Sequence, residues 1–217
     1  MRTDARIKCK KINEKGEKLL QNKTIALAGV GAVGSTIASM LAREGIHLRM
    51  VDMGRVEEED MHRLTIFYEE DITKFKVKQA KLRLNAINPH VQVKSFHEEI
   101  GSGNVFLLQG DVVIDATNND EVNKLTIPYA AKKKLPFILI RYSGTQARIL
   151  VMQHPLSAKA LDRLKLPSQD KDGIFGPVTT LAASIVVAQV IKILVGEKTS
   201  YMIECDAWDE KVKVTKI

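Results

Sequence analysis

"TIALAGVGAVGST", residues 24–36, is an apolar, β-branched run that ends in three glycines, Gly29, Gly31 and Gly34. It continues as a helical pattern through "VGSTIASMLARE" (33–44). In the spacing G-x-G-x-x-G each glycine has a use. The first permits a tight turn, the second lets a phosphate approach the backbone, and the third lets helix and strand pack closely. The helix N-terminus behind the loop offers free N–H groups and a partial positive charge to an anion. The next strand, "HLRMVD" (47–52), ends at Asp52, a carboxylate able to accept hydrogen bonds from ribose hydroxyls. These residues predict an adenosine-nucleotide site with Gly29, Gly31, Gly34 and Asp52 as its cofactor-binding residues. NAD, FAD and ATP all stay open on this pattern, and the plain alternative is a set of turn and packing glycines with no ligand.

Outward from that stretch, short strands alternate with helices. "KVKQAKLRLNAI" is followed by "VQVKSF", "DVVIDAT" by "EVNKLTIPYAAKKK", and "PFILIRY" follows in turn. This alternation implies an α/β, Rossmann-like fold, a mostly parallel sheet with helices on both faces. From about residue 144 the rhythm changes. The strand "TQARILVMQ", a late apolar helix and two closing strands, "YMIECDA" and "KVKVTKI", predict an antiparallel C-terminal extension. Gly176-Pro177 before the late helix and Gly196 after it delimit that helix. The expected organisation is one domain over residues 1–217, with an N-terminal arm or helix at 1–22 and a loop over the site at 155–175.

Composition narrows the partners. Of 217 residues, 45% are hydrophobic and 27% charged, with a net charge of +7. Acidic runs such as "EEED" (57–60) interrupt the lysines, and no aromatic-studded basic stripe is present, so no nucleic-acid partner is expected. The most apolar stretch, residues 181–195, is short and interrupted by Gln189 and Lys192, so no membrane span is expected. The N-terminus is too polar for a signal peptide, and the two cysteines, Cys9 and Cys205, form no CxxC. A cytoplasmic protein without structural zinc is the corresponding expectation.

Beyond Asp52 the sequence resembles the ThiF/MoeB/HesA family, relatives of ubiquitin-activating enzymes. The resemblance lies in "VDMGRVEEEDMHRL" (51–64) and "KFKVKQAKLRLNAINPHVQV" (74–93). Against the family pattern D-x-D-x-V, S-N-L-x-R-Q, P-K-V/A and I-N-P, the matching residues are Asp52, Val56, Arg63, Lys76, Val77 and Ile87-Asn88-Pro89. "GEKLLQNKTIALAGVGAVGS", "DVVIDATNN" and "GPVTTLAASIVVAQVIKILVG" extend the likeness over nearly the whole chain.

The resemblance implies a homodimeric adenylyltransferase that uses ATP and Mg²⁺ to convert a carboxylate to an acyl adenylate, with pyrophosphate released. Its implied catalytic residues are Arg63, Lys76 and Asn118, the two cations meeting phosphate charge. Its implied metal contacts are Asn118 and nearby Asp115 or Asp120. In the family an arginine from the neighbouring subunit's N-terminal segment reaches the phosphates, a role open here to Arg6 or Arg2, whose plain alternative is a solvated basic arm.

Three positions depart from the pattern. The aspartate of T-D-N is Asn118, the second aspartate of D-x-D is Gly54, and the asparagine of S-N-L is Asp60. Asp60 puts negative charge where phosphate is expected. The family's paired CxxC zinc ligands and catalytic cysteine have no counterpart in Cys9 or Cys205, so no covalent cysteine step is expected. The expected partners are a carboxylate substrate and a downstream acceptor of the adenylate. The HcgE-like subgroup, whose family role is adenylation of a guanylylpyridinol, is cysteine-poor in the same way. The alternative carboxylate is the C-terminal glycine of a ThiS/MoaD-like sulfur carrier. Two other classes stay open: an NAD(P)-dependent oxidoreductase, with His154 as its acid or base, and a non-catalytic nucleotide-binding partner protein.

Overall fold

The computed structural model describes residues 4–153, 173–198 and 200–216. His154, Arg2 and most of the anticipated site loop, residues 155–172, lie outside them. The elements run α1 (Asp4–Ile7), α2 (Asn13–Leu20), β1 (Thr24–Ala28), α3 (Ala32–Arg43), β2 (His47–Val51), α4 (Lys76–Ile87) and β3 (Val93–Phe96). They continue with β4 (Val112–Asp115), α5 (Asp120–Lys133), β5 (Phe137–Ser143), β6 (Gln146–Met152), α6 (Gly176–Leu194), β7 (Tyr201–Asp206) and β8 (Lys211–Lys216).

One eight-stranded sheet carries the fold, in the order β3-β2-β1-β4-β5-β6-β7-β8. The first five of these are parallel and the last three pair antiparallel. The change of direction comes where β5 turns into β6 through Gly144-Thr145, with Gly144 at φ 54°. A parallel partner for β5 would need a long crossover; a two-residue turn permits only an antiparallel one.

Strand β1 shows why the parallel strands read as unbroken apolar runs. Ile25 and Leu27 pack on one face with α3, α4 and α6, while Ala26 and Ala28 face the α5 side. Both faces are covered, so alternation with polar residues is lost. Helix α6 starts with proline in its first turn and is followed by Gly196 at φ 90°. It is long and apolar enough, by length and composition, to cross a membrane, but half of it is buried here. Val178, Ala182, Val186 and Val190 are fully covered in the core it shares with α3.

Strand β1 lies between β2 and β4, and successive connections leave it in opposite directions. Crevices of this kind, at the carboxyl ends of the strands where the order reverses, are where open α/β sheets bind ligands. The glycine loop follows β1, Asp52 follows β2 and Asn118 follows β4.

Candidate active site

Each glycine of the loop has a different physical requirement. Gly29 has φ 84°, and a Cβ there would stand 3.0 Å from the backbone of Ala116 and Thr117 at the end of β4. A Cβ on Gly34 would stand 2.0 Å from the Gly29 carbonyl oxygen, so only glycine lets α3 begin this close to β1. Gly31, the N-cap of α3, meets nothing within 4 Å. The packing of the fold itself therefore does not require glycine at this position. No side chain caps α3, and no acid lies in its first turn, so its leading N–H groups keep the partial positive charge that suits an anion.

Asp52 fastens this loop to the second strand. Its Oδ2 accepts from the Val30 N–H and its Oδ1 from the Gly54 N–H, both at 2.6 Å. A carboxylate has about four acceptor directions, so both oxygens keep capacity for a ribose hydroxyl.

The segment after Asp52 brings the two cations in. Val56 N–H donates to the Lys74 carbonyl, Thr73 N–H to that of Val56 and Lys76 N–H to that of Gly54, at 2.9, 2.8 and 3.0 Å. Lys76 is thus set at the first position of α4, beside Gly54. A side chain at 54 would meet Asp52 Oδ1 at 3.0 Å and Lys76 Cδ at 3.7 Å. The lysine distance is an ordinary contact, so the crowding that glycine avoids at 54 is against the Asp52 carboxylate.

Arg63 closes a 3-10 turn, Glu58–Arg63, which abuts the start of α6: a Cβ on Gly176 would be 3.0 Å from the His62 carbonyl. Asp60 in the same turn accepts from both cations, from Lys76 Nζ at 3.2 Å and from the Arg63 guanidinium. The three side chains are only 20% (Arg63), 14% (Lys76) and 14% (Asp60) exposed. Arg63 and Lys76, 13 residues apart in sequence, are therefore held together by one carboxylate.

The three anticipated metal contacts differ in the oxygens their side chains still offer. Asn118, at φ 55°, donates its amide N–H to the Tyr142 carbonyl at 3.1 Å, which leaves its amide oxygen able to accept. Asp115 is fully buried. Its Oδ1 accepts from the N–H and hydroxyl of Thr117, and its Oδ2 from Asn123 Nδ2 and the Thr126 hydroxyl. With every acceptor direction used inside the fold, Asp115 anchors the β4–α5 junction and has no oxygen to give a cation. Asp120 is 88% exposed and pairs with Arg141. Among the described residues no group of three His, Cys, Asp or Glu side chains could hold a metal. Among the described residues the side chains thus form no carboxylate cage for a divalent cation, and the Asn118 amide oxygen keeps acceptor capacity.

Within its own chain Arg6 is tied down by two acids. Its guanidinium donates to both carboxylate oxygens of Glu17, each at 2.8 Å, and to the carbonyl and carboxylate of Glu44. Glu44 follows the far end of α3, about 18 Å along the helix from the glycine loop at 1.5 Å per residue. In its own chain Arg6 clamps the N-terminal segment to α3 and does not reach the loop. Cys9 is exposed, whereas Cys205 is buried in β7, where burial pushes its thiol pKa up.

Sequence reasoning missed Thr117, Asn123 and Thr126 as the partners of Asp115, and Phe75 as a platform. Phe75 packs its ring under Arg55, 4.1 Å from the guanidinium carbon, just before Lys76. The pairing of residue 55 with residue 75 was available only from the fold.

An open α/β sheet with a glycine loop, a ribose-height acid and clustered cations at its switch point defines a nucleotide-binding protein of the Rossmann-like class. Residues 3–217 match the ThiF family, and the chain belongs to it. It is 26% identical over 200 residues to the sulfur carrier protein adenylyltransferase of Thermus thermophilus, covering 85% of this chain and 74% of that protein. It is 27% identical over 208 residues to the sulfur carrier protein ThiS adenylyltransferase of Bacillus subtilis, covering 91% of this chain and 62% of that protein. Its fold matches the crystal structure of E. coli MccB with ATP at a TM-score of 0.77 and 19% identity, over 93% of this chain and 66% of that one. PaaA matches at 0.77 and 21%, over 94% and 66%. The chain thus spans less than two thirds of the Bacillus protein.

Proposed function

We propose that the protein is an ATP-dependent adenylyltransferase that activates a carboxylate. The observation that carries this reading is the meeting of Arg63 and Lys76, drawn from a 3-10 turn and a helix start, beside Gly54 and Asp52 at the carboxyl end of the sheet. Hydride transfer has no need of two cations there. Displacement at the α-phosphorus does: a carboxylate oxygen forms the new P–O bond, the bond to the β-phosphate oxygen breaks, and negative charge moves onto pyrophosphate. Gly31 lets the phosphates approach the backbone, Asp52 receives the ribose, and Lys76 and Arg63 meet the departing charge. Asn118 would be the residue to contact a Mg²⁺ ion there, and the ion would supply further neutralisation of that charge.

The carboxylate belongs to one of two classes. The names of the Thermus and Bacillus relatives favour the C-terminal glycine of a small sulfur carrier protein. The absence of cysteines beyond Cys9 and Cys205 favours an adenylate that is handed on without a thioester, as with a small-molecule acid such as guanylylpyridinol. The protein is further proposed to act as a homodimer in the cytoplasm.

The test is pyrophosphate release and ATP–pyrophosphate exchange with the purified protein, Mg²⁺ and a panel of carboxylates that includes a ThiS-like carrier. Exchange that depends on the acid and is abolished in Arg63→Ala and Lys76→Ala is expected. Tight NAD binding with no ATP binding overturns the reading.

A further inference from the structure

Asp60 is the residue whose charge has the wrong sign for a phosphate site, and its geometry explains why it is there. One oxygen holds the Arg63 guanidinium and the other holds Lys76 Nζ at 3.2 Å. Without it, two cations mostly shielded from water would repel one another. With it, they are assembled in advance, but by an anion that occupies the contacts a polyphosphate would use. We propose that Asp60 is a positioning residue, a resident counter-anion that aligns Arg63 and Lys76 and that the triphosphate must displace or share. This rests on the adenylation reading of the same site.

Two consequences follow from the charges. Metal-free ATP brings about four negative charges to a carboxylate held in partly desolvated surroundings, where like charges repel more strongly than in water. A triphosphate carrying Mg²⁺ would bring about half of that, and so meet less repulsion from the carboxylate. Asp60 therefore makes the site select metal-loaded over metal-free nucleotide. It restores through a carboxylate at position 60 some of the metal dependence that an uncharged Asn118 gives up.

The experiment is calorimetric titration of parent and Asp60→Asn with ATP in excess Mg²⁺, with ATP in chelator, and with adenosine, which lacks phosphates and reports the integrity of the fold and of the loop. Asp60→Ser takes its place should the asparagine variant not fold. In the parent, chelator should weaken ATP binding by about tenfold or more. In the variant, metal-free ATP should bind about tenfold tighter than to the parent, the effect of Mg²⁺ should shrink to about threefold or less, and adenosine should bind as before. ATP should also raise the melting temperature of the variant by more than that of the parent, because it relieves an uncompensated pair of cations. The inference is overturned if ATP binds the variant no tighter with the metal effect unchanged. It is equally overturned if adenosine and ATP lose affinity together, which marks a merely structural role. A folded parent that binds adenosine but not ATP under either condition overturns the adenylation reading, and this inference with it.

Discussion

The backbone N–H of Val30 donates to Asp52 Oδ2 at 2.6 Å, so the acid that ends β2 is part of the glycine loop that follows β1. The carboxylate proposed to receive the ribose also fixes the turn proposed to receive the phosphates. Asp52→Asn would turn an amide N–H₂ toward one of two donor N–H groups. A loss of about 1–3 kcal/mol of folding stability in urea titration is expected. ATP and adenosine affinity should fall together, in contrast to the charge-selective effect of Asp60.

Gly31 and Gly34 separate binding from folding. Gly31→Ala places a methyl in open space and costs about 1 kcal/mol for the poorer helix start. It should leave a cooperative thermal transition while ATP affinity drops. Gly34→Ala drives a methyl to 2.0 Å from the Gly29 oxygen, so the loop must move. A loss above about 3 kcal/mol is expected, seen as a lowered melting temperature or insoluble protein.

Arg6 is tied to Glu17 and Glu44 in a pocket that leaves its side chain 12% exposed. Arg6→Ala strands the Glu17 carboxylate, itself 10% exposed, and should cost about 3 kcal/mol in stability. ATP affinity of the folded fraction should be unchanged. A normal melting temperature with weakened ATP binding would instead show that the arginine serves the phosphates of a neighbouring subunit.

These residues also show what the sequence could and could not reveal. The strand, glycines, helix and acid between Thr24 and Asp52 were legible because local spacing dictates their geometry, and the boundaries of α4 and α6 were legible from periodicity, proline and glycine. Asp60 looked like an obstacle because its meaning depends on Lys76, 16 residues on; only its three-residue separation from Arg63 hinted at a pair. Asp115 looked like a metal ligand because a motif gives position, not direction. Its neighbours Asn123 and Thr126 turn toward it only once α5 is docked.

Cys205 is a thiol whose burial raises its pKa above the ordinary range. The folded state thus favours the neutral form. Its contribution to stability is fully present below the unfolded thiol pKa of about 8.5 and is lost as pH rises through the higher folded value. Unfolding free energy should fall above about pH 9, and Cys205→Ala should remove that part of the slope. A thiol reagent should label exposed Cys9 in the native protein and Cys205 only after denaturant is added. Pyrophosphate release should survive Cys205→Ala, since no thiolate takes part in the proposed step.

Asn118→Asp tests the metal side of the site directly. The backbone there is left-handed at φ 55°, a conformation that asparagine and aspartate tolerate better than most residues. The new carboxylate loses the amide donation to the Tyr142 carbonyl, worth about 1 kcal/mol, and stability should fall by about that much. In exchange the ion gains a charged oxygen in place of a neutral one. The Mg²⁺ concentration that half-saturates ATP binding, read by titrating metal into protein and nucleotide, should drop severalfold. If stability falls as expected and the metal requirement does not move, Asn118 is a strut for β5 and the ion is held by the phosphates alone.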